Sequence, residues 1–546
     1  MTEHTAIRGP RVAARLRRGW VDLRGLARLA WFGLQHFVLA RVFSSLRRAA
    51  PAEVTQALMR AKGIGHPPPV LTLEGPDDPD RAWDRGFAAV NAALYMNLHT
   101  PNDMAGVRHA HPAPSFPAIY LWDSAFIAQV WRWWDPAVAA DVLRAVVETR
   151  DGDRLRHFTA AFARSPYTQP PLLAWALRQL VDGLDAAETE GVGLADLYGP
   201  LCDYKRWLYT HRRTADGLFA WDHAYESGGE NAPRFGSRDE RRLRDTRRVA
   251  APDFAAYMVL TCDALAALAR RIGRTGEAAA HEADATALRA QANAVLWDET
   301  EGLYFDRDMD SGAFIRCRTI ASLLPLWAGI PDPDRAKRLH THIVDLEAFN
   351  TPIPLPSVAA SDPAFEKDMW RGPVWVNTAY AVIQGLERYG SGETAADLAF
   401  RLCDGVYRTA RLTGHIHEFY DPDRPGVDAL HRKRGNLWKR VTLGDKPVID
   451  FVGWSGLVNT LVIETLFGLR REPEGLTLTP RFPERAAGHR LTLSLPHPGL
   501  DIRAEIRSGG AVRGTVRGPW GERTFHLAFG ETLSLSPAAN HPGDRA

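Results

Sequence analysis

The sequence has no apolar run long enough to cross a bilayer, no closely paired cysteines and no large excess of charge. Its most apolar stretch, residues 29–40, is interrupted by Gln35 and His36 and flanked by Arg28 and Arg41. A membrane-spanning helix needs about 20 apolar residues, so this stretch is too short. A secretory signal fits poorly too, because the basic stretch ahead is long and no convincing small-residue cleavage site follows. Cys202, Cys262, Cys317 and Cys403 are widely separated, with no C-x-x-C. That excludes zinc ribbons and thiol redox motifs, and a reduced, cytoplasmic compartment is expected. The 67 Lys+Arg against 65 Asp+Glu leave a net charge of +2, which offers no overall field for nucleic acid, so none is expected as a partner. Self-similarity of the solenoid kind is missing as well. Composition is otherwise ordinary, at 45% hydrophobic and 24% charged, which excludes disorder, collagen and coiled coil.

Two features depart from the ordinary. The chain carries 17 Trp, a density that suits large packed cores and sites that stack on the flat apolar faces of sugars. Charge is also unevenly spread: residues 1–50 hold ten Arg and no Lys against only Glu3 and Asp22, a local +8, which leaves the remainder at −6. Residues 8–48 allow two readings. One is an amphipathic helix or helix pair docked on the body with its Arg solvated, the commoner fate of such helices. The other is an interfacial anchor on anionic lipid, with Trp31, Phe32, Phe37 and Phe43 inserted. A proline-rich hinge, Pro67-Pro68-Pro69, follows.

From about 80 to 468 one helical pattern succeeds another, over roughly 80–98, 122–134, 136–150, 169–183, 190–209, 252–272, 275–296, 318–328, 333–346, 374–389, 392–409 and 453–468. Asp135 before Pro136 is a capping carboxylate ahead of a first-turn proline, and Asp253 and Thr275 are expected to cap in the same way. Short turns alternate with long Gly/Pro/Asp/Trp-rich loops. Paired helices repeated six times close into an (α/α)6 toroid with its long loops gathered at one end, where function usually sits. Beyond Leu469, period-two runs such as 491–495, 502–506, 512–516 and 525–529 predict a small antiparallel β domain. The expected organisation is a mainly α chain: residues 1–70 a basic helical segment and hinge, 75–469 the barrel, 470–536 the β appendage and 537–546 a tail.

Four loop segments set carboxylates among aromatics: 120–126, 226–235, 368–377 and 418–426. Apolar surroundings raise a carboxyl pKa and permit general acid work. Two carboxyls flanking one bond are the minimal machinery of glycoside hydrolysis. These segments make the chain recognisable. It resembles glycoside hydrolase family 63 and that family's bacterial mannosylglycerate and glucosylglycerate hydrolase branch, with trehalases and glucoamylases as more distant relatives. The resemblance runs from about Tyr120 to Leu469. It is carried by Trp122-Asp123-Ser124, Thr168-Gln169-Pro170-Pro171, the L-W-D-E element of 296–306, the T-P-x-P-x-P-S segment of 351–357, W-R-G-P-V-W-x-N at 370–377 and Gly453-Trp454-Ser455-Gly456. W-R-G-P-V-W with T-Q-P-P in that order is the specific part.

The resemblance implies an (α/α)6 barrel and an inverting mechanism with two carboxyls. The family's general acid lies in E-S-G-x-D-N-[SA]-P, matched here by residues 226–233, with Glu230 where Asp is usual. The added methylene shifts the proton by about one bond length, a displacement on the scale that affects rate. Asp239 and Glu240 are weaker stand-ins, since the Arg-rich run 238–248 is expected to pair with them. The base lies in E-x-Y-D-P-x-x-G, matched by Glu418 with Tyr420, Asp421, Pro422 and a displaced Gly426. Tyr120, Trp122, Asp123, Gln169, Gly228, Trp370, Arg371, Trp375 and Trp454 are the substrate-binding candidates. Each has a plainer reading: the Trp as barrel-wall packing, Asp123 as a helix cap, Arg371 as a loop brace and Glu226 as an orienter of the acid loop. His415 and His417 flank the base at i, i+2, but an isolated H-x-H is weak metal evidence, and no metal or cofactor is expected. The leading expectation is an inverting, exo-acting α-glucosidase or α-mannosidase on a small carbohydrate. The alternatives are a catalytically impaired sugar-binding or scaffold protein and a sugar epimerase, which wants a His pair. Oligomeric state is not legible.

Overall fold

The computed structural model describes residues 52–535 apart from 76–77, 79, 183, 185, 237–242, 433, 435–443 and 473–474. The basic segment 8–48, the tail 537–546 and the carboxylates Asp239 and Glu240 therefore lie outside the described residues.

The fold is mainly α. Helix α1 (Ala52–Ala61) precedes α2 (Ala82–Asn97), α3 (Leu121–Trp131), α4 (Pro136–Glu148), α5 (Leu173–Val181), α6 (Ala186–Val192) and α7 (Leu194–His211). There follow α8 (Pro252–Arg271), α9 (Thr275–Val295), α10 (Pro333–Val344), α11 (Val376–Arg388), α12 (Gly392–Thr413) and α13 (Leu457–Leu461). Helices α3, α5, α8, α11 and α13, with the 3-10 turn Leu324–Leu326 between α8 and α11, form a ring in which each member touches the next and α13 returns to α3. The hydrophobic pattern explains which helices lie inside. Every residue of α3 is buried, and α8 is buried through most of its length. Helices α9 and α10 bury only a stripe, such as Ala336, Leu339 and Ile343. A helix apolar all round must be enclosed, whereas a striped one covers it. Outer helices α4, α9 and α12 pack on α3, α8 and α11, and α2 packs on α12 across the ends of the chain. Helix α8 is apolar and long enough to cross a membrane by composition, but it is a core helix.

Local chemistry sets the boundaries. The Asp135 carboxylate accepts from the Val138 amide at 3.2 Å ahead of Pro136, as expected. Asp253 does not cap: it lies inside α8 and is taken by the buried Arg234 guanidinium. Thr275 is likewise the first residue of α9, with Arg274 ahead of it as the cap. The helix expected over 318–328 is two 3-10 turns, Ile320–Ser322 and Leu324–Leu326, because Pro325 has no amide to donate and its ring clashes with a preceding carbonyl. The pattern expected over 190–209 divides at Gly193 into α6 and α7. The last pattern starts late, at Leu457, and continues as a π turn over Val462–Leu466.

A five-stranded antiparallel sheet carries the C-terminal alternation. Its order is β1 (Val70–Glu74), β2 (Arg490–Leu495), β3 (Leu500–Ile506), β4 (Val512–Gly518) and β5 (Gly521–Leu527). Strand β1 is not legible in the sequence. It precedes the helices along the chain yet pairs with β2 in the register Val70↔Ser494 to Glu74↔Arg490. Leu71 and Leu73 on its inner face are buried beside Leu491, Leu493 and Leu495. The β region is thus closed by a strand from the far end of the chain, which holds residues 70–74 to the body. Deleting residues 1–51 removes none of these contacts and serves as the reference. Deleting residues 1–74 strips four buried apolar side chains, Met59, Ile64, Leu71 and Leu73, and should cost about 6–12 kcal/mol, a loss that calorimetry of the two truncations separates.

Candidate active site

Residues at or just ahead of the first turns of α3, α5, α11 and α13 line a cavity of about 410 Å³. Tyr120, Trp122, Asp123, Gln169, Gly228, Glu230, Trp370, Trp375, Glu418 and Trp454 all reach it. Its wall is aromatic. Trp370 stacks on Trp375 with centroids 3.7 Å apart and planes 7° from parallel. Trp454 packs on both Trp375 and Trp122 at 5.4 Å. Trp375 is held from behind by its indole Nε1, which donates to the Met369 carbonyl at 3.0 Å.

The loop carrying Glu230 is pinned at both ends. Glu226 is fully buried and takes the Arg212 guanidinium through both oxygens, at 2.8 and 2.7 Å. Its carboxylate also accepts from the amides of Thr168 and Asp222. Glu226 therefore does orient the loop through backbone amides, and it binds the Gln169 segment to the same anchor. At the other end buried Arg234 pairs with Asp253 and Asp306, the latter at 2.7 Å. Between these anchors Asn231 Oδ1 accepts from the Trp370 amide at 3.0 Å. Gly228 sits at φ +75°, where a Cβ would fall 2.3 Å from the Trp122 ring. Only glycine allows both that backbone conformation and that approach.

Glu418 is set by different means. It is buried, and its amide donates to the Val448 carbonyl at 3.0 Å. Its own carbonyl accepts from Trp454 Nε1 at 2.7 Å. Its carboxylate pairs with the Arg432 guanidinium. Asp123 stands in the first turn of α3, against Gly453, where any Cβ would meet Asp123 Oδ1 at 2.4 Å. Burial first, and then the charge of Glu230, pushes the Asp123 carboxyl up to about 8. A carboxyl of this kind is neutral at pH 7 and has a proton to donate.

The model of the mannosylglycerate hydrolase MGH1-like glycoside hydrolase domain matches residues 117–430, a span that contains every one of these residues except Arg432, Val448, Gly453 and Trp454. The chain belongs to glycoside hydrolase family 63. It is a glycosidase. Over 378 residues it is 28% identical to mannosylglycerate hydrolase of Thermus thermophilus, covering 56% of this chain and 89% of that one. A mannosylglycerate hydrolase of Selaginella moellendorffii, MGH1, is 28% identical over 311 residues, 47% of this chain and 61% of the relative. The crystal structure of the family 63 mannosylglycerate hydrolase from Thermus thermophilus in complex with Tris superposes with a TM-score of 0.56 at 25% identity, over 68% of this chain and 98% of the other. A sialidase shares the fold at 15% identity, with a TM-score of 0.60 over 85% of this chain and 41% of its own.

Against this family 63 framework one candidate is corrected. Arg371 does not line the cavity: its guanidinium turns to Glu366 at 3.3 Å and towards the Asn231 carbonyl. It braces the W-R-G-P loop because Gly372 and Pro373 carry the chain away from the wall. Sequence reasoning missed Arg432, His157, Tyr167 and Tyr225, which also line the cavity. Arg432 sits in an H-R-K-R run that reads as a solvated charged face, and only its nearness in sequence to the Glu418 motif hints otherwise. Burial lowers its guanidinium to about 10, so it remains a cation at neutral pH. Burial lowers His157 to about 4, which leaves it neutral there. It is the cavity's one histidine among the described lining residues, so an epimerase's His pair is not assembled. His417 is packed, with Nε2 against the Thr413 hydroxyl at 2.9 Å, and His415 faces Asp450 at 3.0 Å. Away from the cavity, Cys202, Glu277 and His281 bring donor atoms within 4.8 Å of one another. Lys205 Nζ donates to His281 Nδ1 at 2.8 Å, which puts the ring proton on the nitrogen a metal would need.

Two outcomes follow from this electrostatics. Glu226→Gln leaves the Arg212 guanidinium without its carboxylate and should cost about 3–5 kcal/mol, read from chemical denaturation. Asp123 holds its proton more tightly folded than unfolded, so the native state loses stability as pH rises from about 4 to its raised value near 8. Asp123→Asn should remove that slope. The melting temperature of the variant relative to wild type should climb across this window and then stay level; a flat difference would show that the carboxyl titrates alike in the folded and unfolded chain.

Proposed function

We propose that this family 63 glycosidase is inverting and exo-acting, and cleaves a small α-mannoside or α-glucoside, with Glu230 as general acid and Glu418 as general base. The observation that supports it best is the convergence of these two carboxyls on one aromatic-walled cavity of about 410 Å³. An (α/α)6 toroid with its loop end at this cavity is the architecture that goes with the reading, supported by the ring of contacts among the inner segments.

In this mechanism Glu418 removes a proton from water as it attacks the anomeric carbon. Glu230 delivers its proton to the departing glycosidic oxygen on the opposite face, a mechanism that requires the two carboxyls to be about 6.5–9.5 Å apart to admit that water. The base has to be a carboxylate, and its ion pair with Arg432 favours the charged form. Asp123, neutral at pH 7, donates to one sugar hydroxyl and accepts from another, while Trp122 and Trp370 offer flat faces to the ring. A glycerate aglycone, as the names of the relatives suggest, is consistent with the buried cation Arg432 at this cavity. Arg247 and Arg248 are less suited to that role, being exposed and paired with Asp245 and Asp310.

Hydrolysis of a panel that includes mannosylglycerate, glucosylglycerate and trehalose, with the first-formed anomer read by NMR, tests both substrate and stereochemistry. A β-configured first product is expected, and an α product would overturn the inverting assignment. Glu418→Gln should lower turnover by about 10²–10⁴-fold with sugar binding retained. Glu230→Gln should do the same for natural glycosides but spare activated aryl glycosides, whose leaving groups need no proton. Equal losses on both would move the acid elsewhere.

A further inference from the structure

The ring has a second cavity, of about 290 Å³, at the end remote from the first. An aromatic column connects the two. Trp122 packs on Phe126 at 5.9 Å, Phe126 on Trp175 at 6.1 Å, and Trp175 on Trp327 at 4.9 Å and on Tyr380 at 6.4 Å. The second cavity opens among the last turns of α5 and α11, where Gln179 and Arg388 stand. From Trp375 to Arg388 the helix descends about 20 Å, and the two cavities share no lining residue.

What sets this pit apart from a packing defect is its unspent hydrogen-bonding capacity. Trp175, Trp327 and Tyr380 are nineteen-twentieths buried or more. Among the described residues, none of their side-chain polar atoms, nor the Gln179 amide, makes a hydrogen bond to protein. None of these atoms is among the sealed, unpartnered ones of the interior, and all four side chains line the cavity. Buried polar groups are rarely left in that condition. Three of the four charged groups around them have ion-pair partners. Asp263 is held by Arg289, and Glu387 by Arg470 at 2.6 Å. Arg178 pairs with Asp182 at 3.2 Å, and Arg388 feels the Asp263 charge. The lining itself holds two arginines and two carboxylates. It presents flat rings, indole and phenol donors and a planar amide, the combination that grips a ring of neighbouring hydroxyls.

We propose that this pit is a second binding site, for one small neutral sugar. Its volume lies at the lower end of small-molecule pockets, roughly 300 Å³, which suits a single hexose. The proposal is independent of the roles given to Glu230 and Glu418. Crystals of the full chain soaked in D-glucose or D-mannose should show the sugar in the pit as well as in the larger cavity. Saturation-transfer NMR titration of the same sugars should resolve two binding phases. Gln179→Leu with Tyr380→Phe should weaken one phase at least fivefold and clear the pit in the soaked crystals, with hydrolytic turnover unchanged. If the double variant fails to fold, Gln179→Leu alone, at a half-buried position, carries the same reading. Water alone in the pit at saturating sugar, or two phases indifferent to these substitutions, would overturn the proposal.

Discussion

The geometry of the site depends on two buried ion-pair anchors that hold a short, glycine-containing loop. Residues 226–236 would have wide conformational freedom on their own, since Gly228 and Gly229 directly precede Glu230. The pairs Glu226–Arg212 and Arg234–Asp253–Asp306 remove that freedom. Neither anchor releases easily, because separating one partner strands a charge in a medium that solvates it poorly. The anchors also reach beyond their own loop. Glu226 takes the amide of Thr168 and so fixes the segment bearing Gln169, while Asn231 takes the amide of Trp370 and registers the Trp wall. Three loops from distant parts of the sequence are thus held to one another by groups that never touch the cavity.

The base side is built by packing as well as by a buried ion pair. Trp454 stands over Glu418 with its indole bonded to that residue's carbonyl, and Trp375 backs Trp370 in a parallel stack. The dry wall that results makes the few charges inside it strong. Asp123 is driven neutral by the same burial that leaves Arg432 the cation nearest Glu418. Burial raises the carboxyl of Asp123, whereas the guanidinium of Arg432 beside Glu418 favours the charged form there. Environment alone sets that difference.

Much of this was legible in the sequence, and what was not has physical causes. Trp122-Asp123, Gln169, Glu230 and Glu418 stand in contiguous motifs whose residue types carry the chemistry, and all of them reach the cavity. The helix pairs read correctly wherever an apolar face recurs at the helical period. The reading failed where one residue overrides a pattern, as Pro325 does for the fourth inner segment. It failed again where an interaction spans the chain: nothing local in residues 70–74 reveals that they pair with 490–494. Arg432 was missed for a related reason, because its partner Glu418 lies on the far side of an irregular loop with no periodicity to relate the two. Arg371 misled in the opposite direction. It sits within a cavity-lining motif, yet its side chain points behind the wall.

The anchored loop also bears on one place where the sequence departs from the pattern its resemblance implies, Glu230 in place of Asp. A longer side chain at a fixed backbone would push its carboxyl deeper into the cavity by about one bond. The ends of the loop cannot yield, since both are held by buried charge. The freedom to compensate is confined to Gly228 and Gly229, and it is limited there too. Gly228 already lies against the Trp122 ring at a backbone angle that other residues rarely adopt. The added methylene must therefore be taken up largely by rotation of the Glu230 side chain itself. That rotation is bounded by Asp123 and Arg432, which both feel the Glu230 charge. On the proposal that Glu230 is the acid, the position of its proton depends on the electrostatics among these three side chains as well as on the loop.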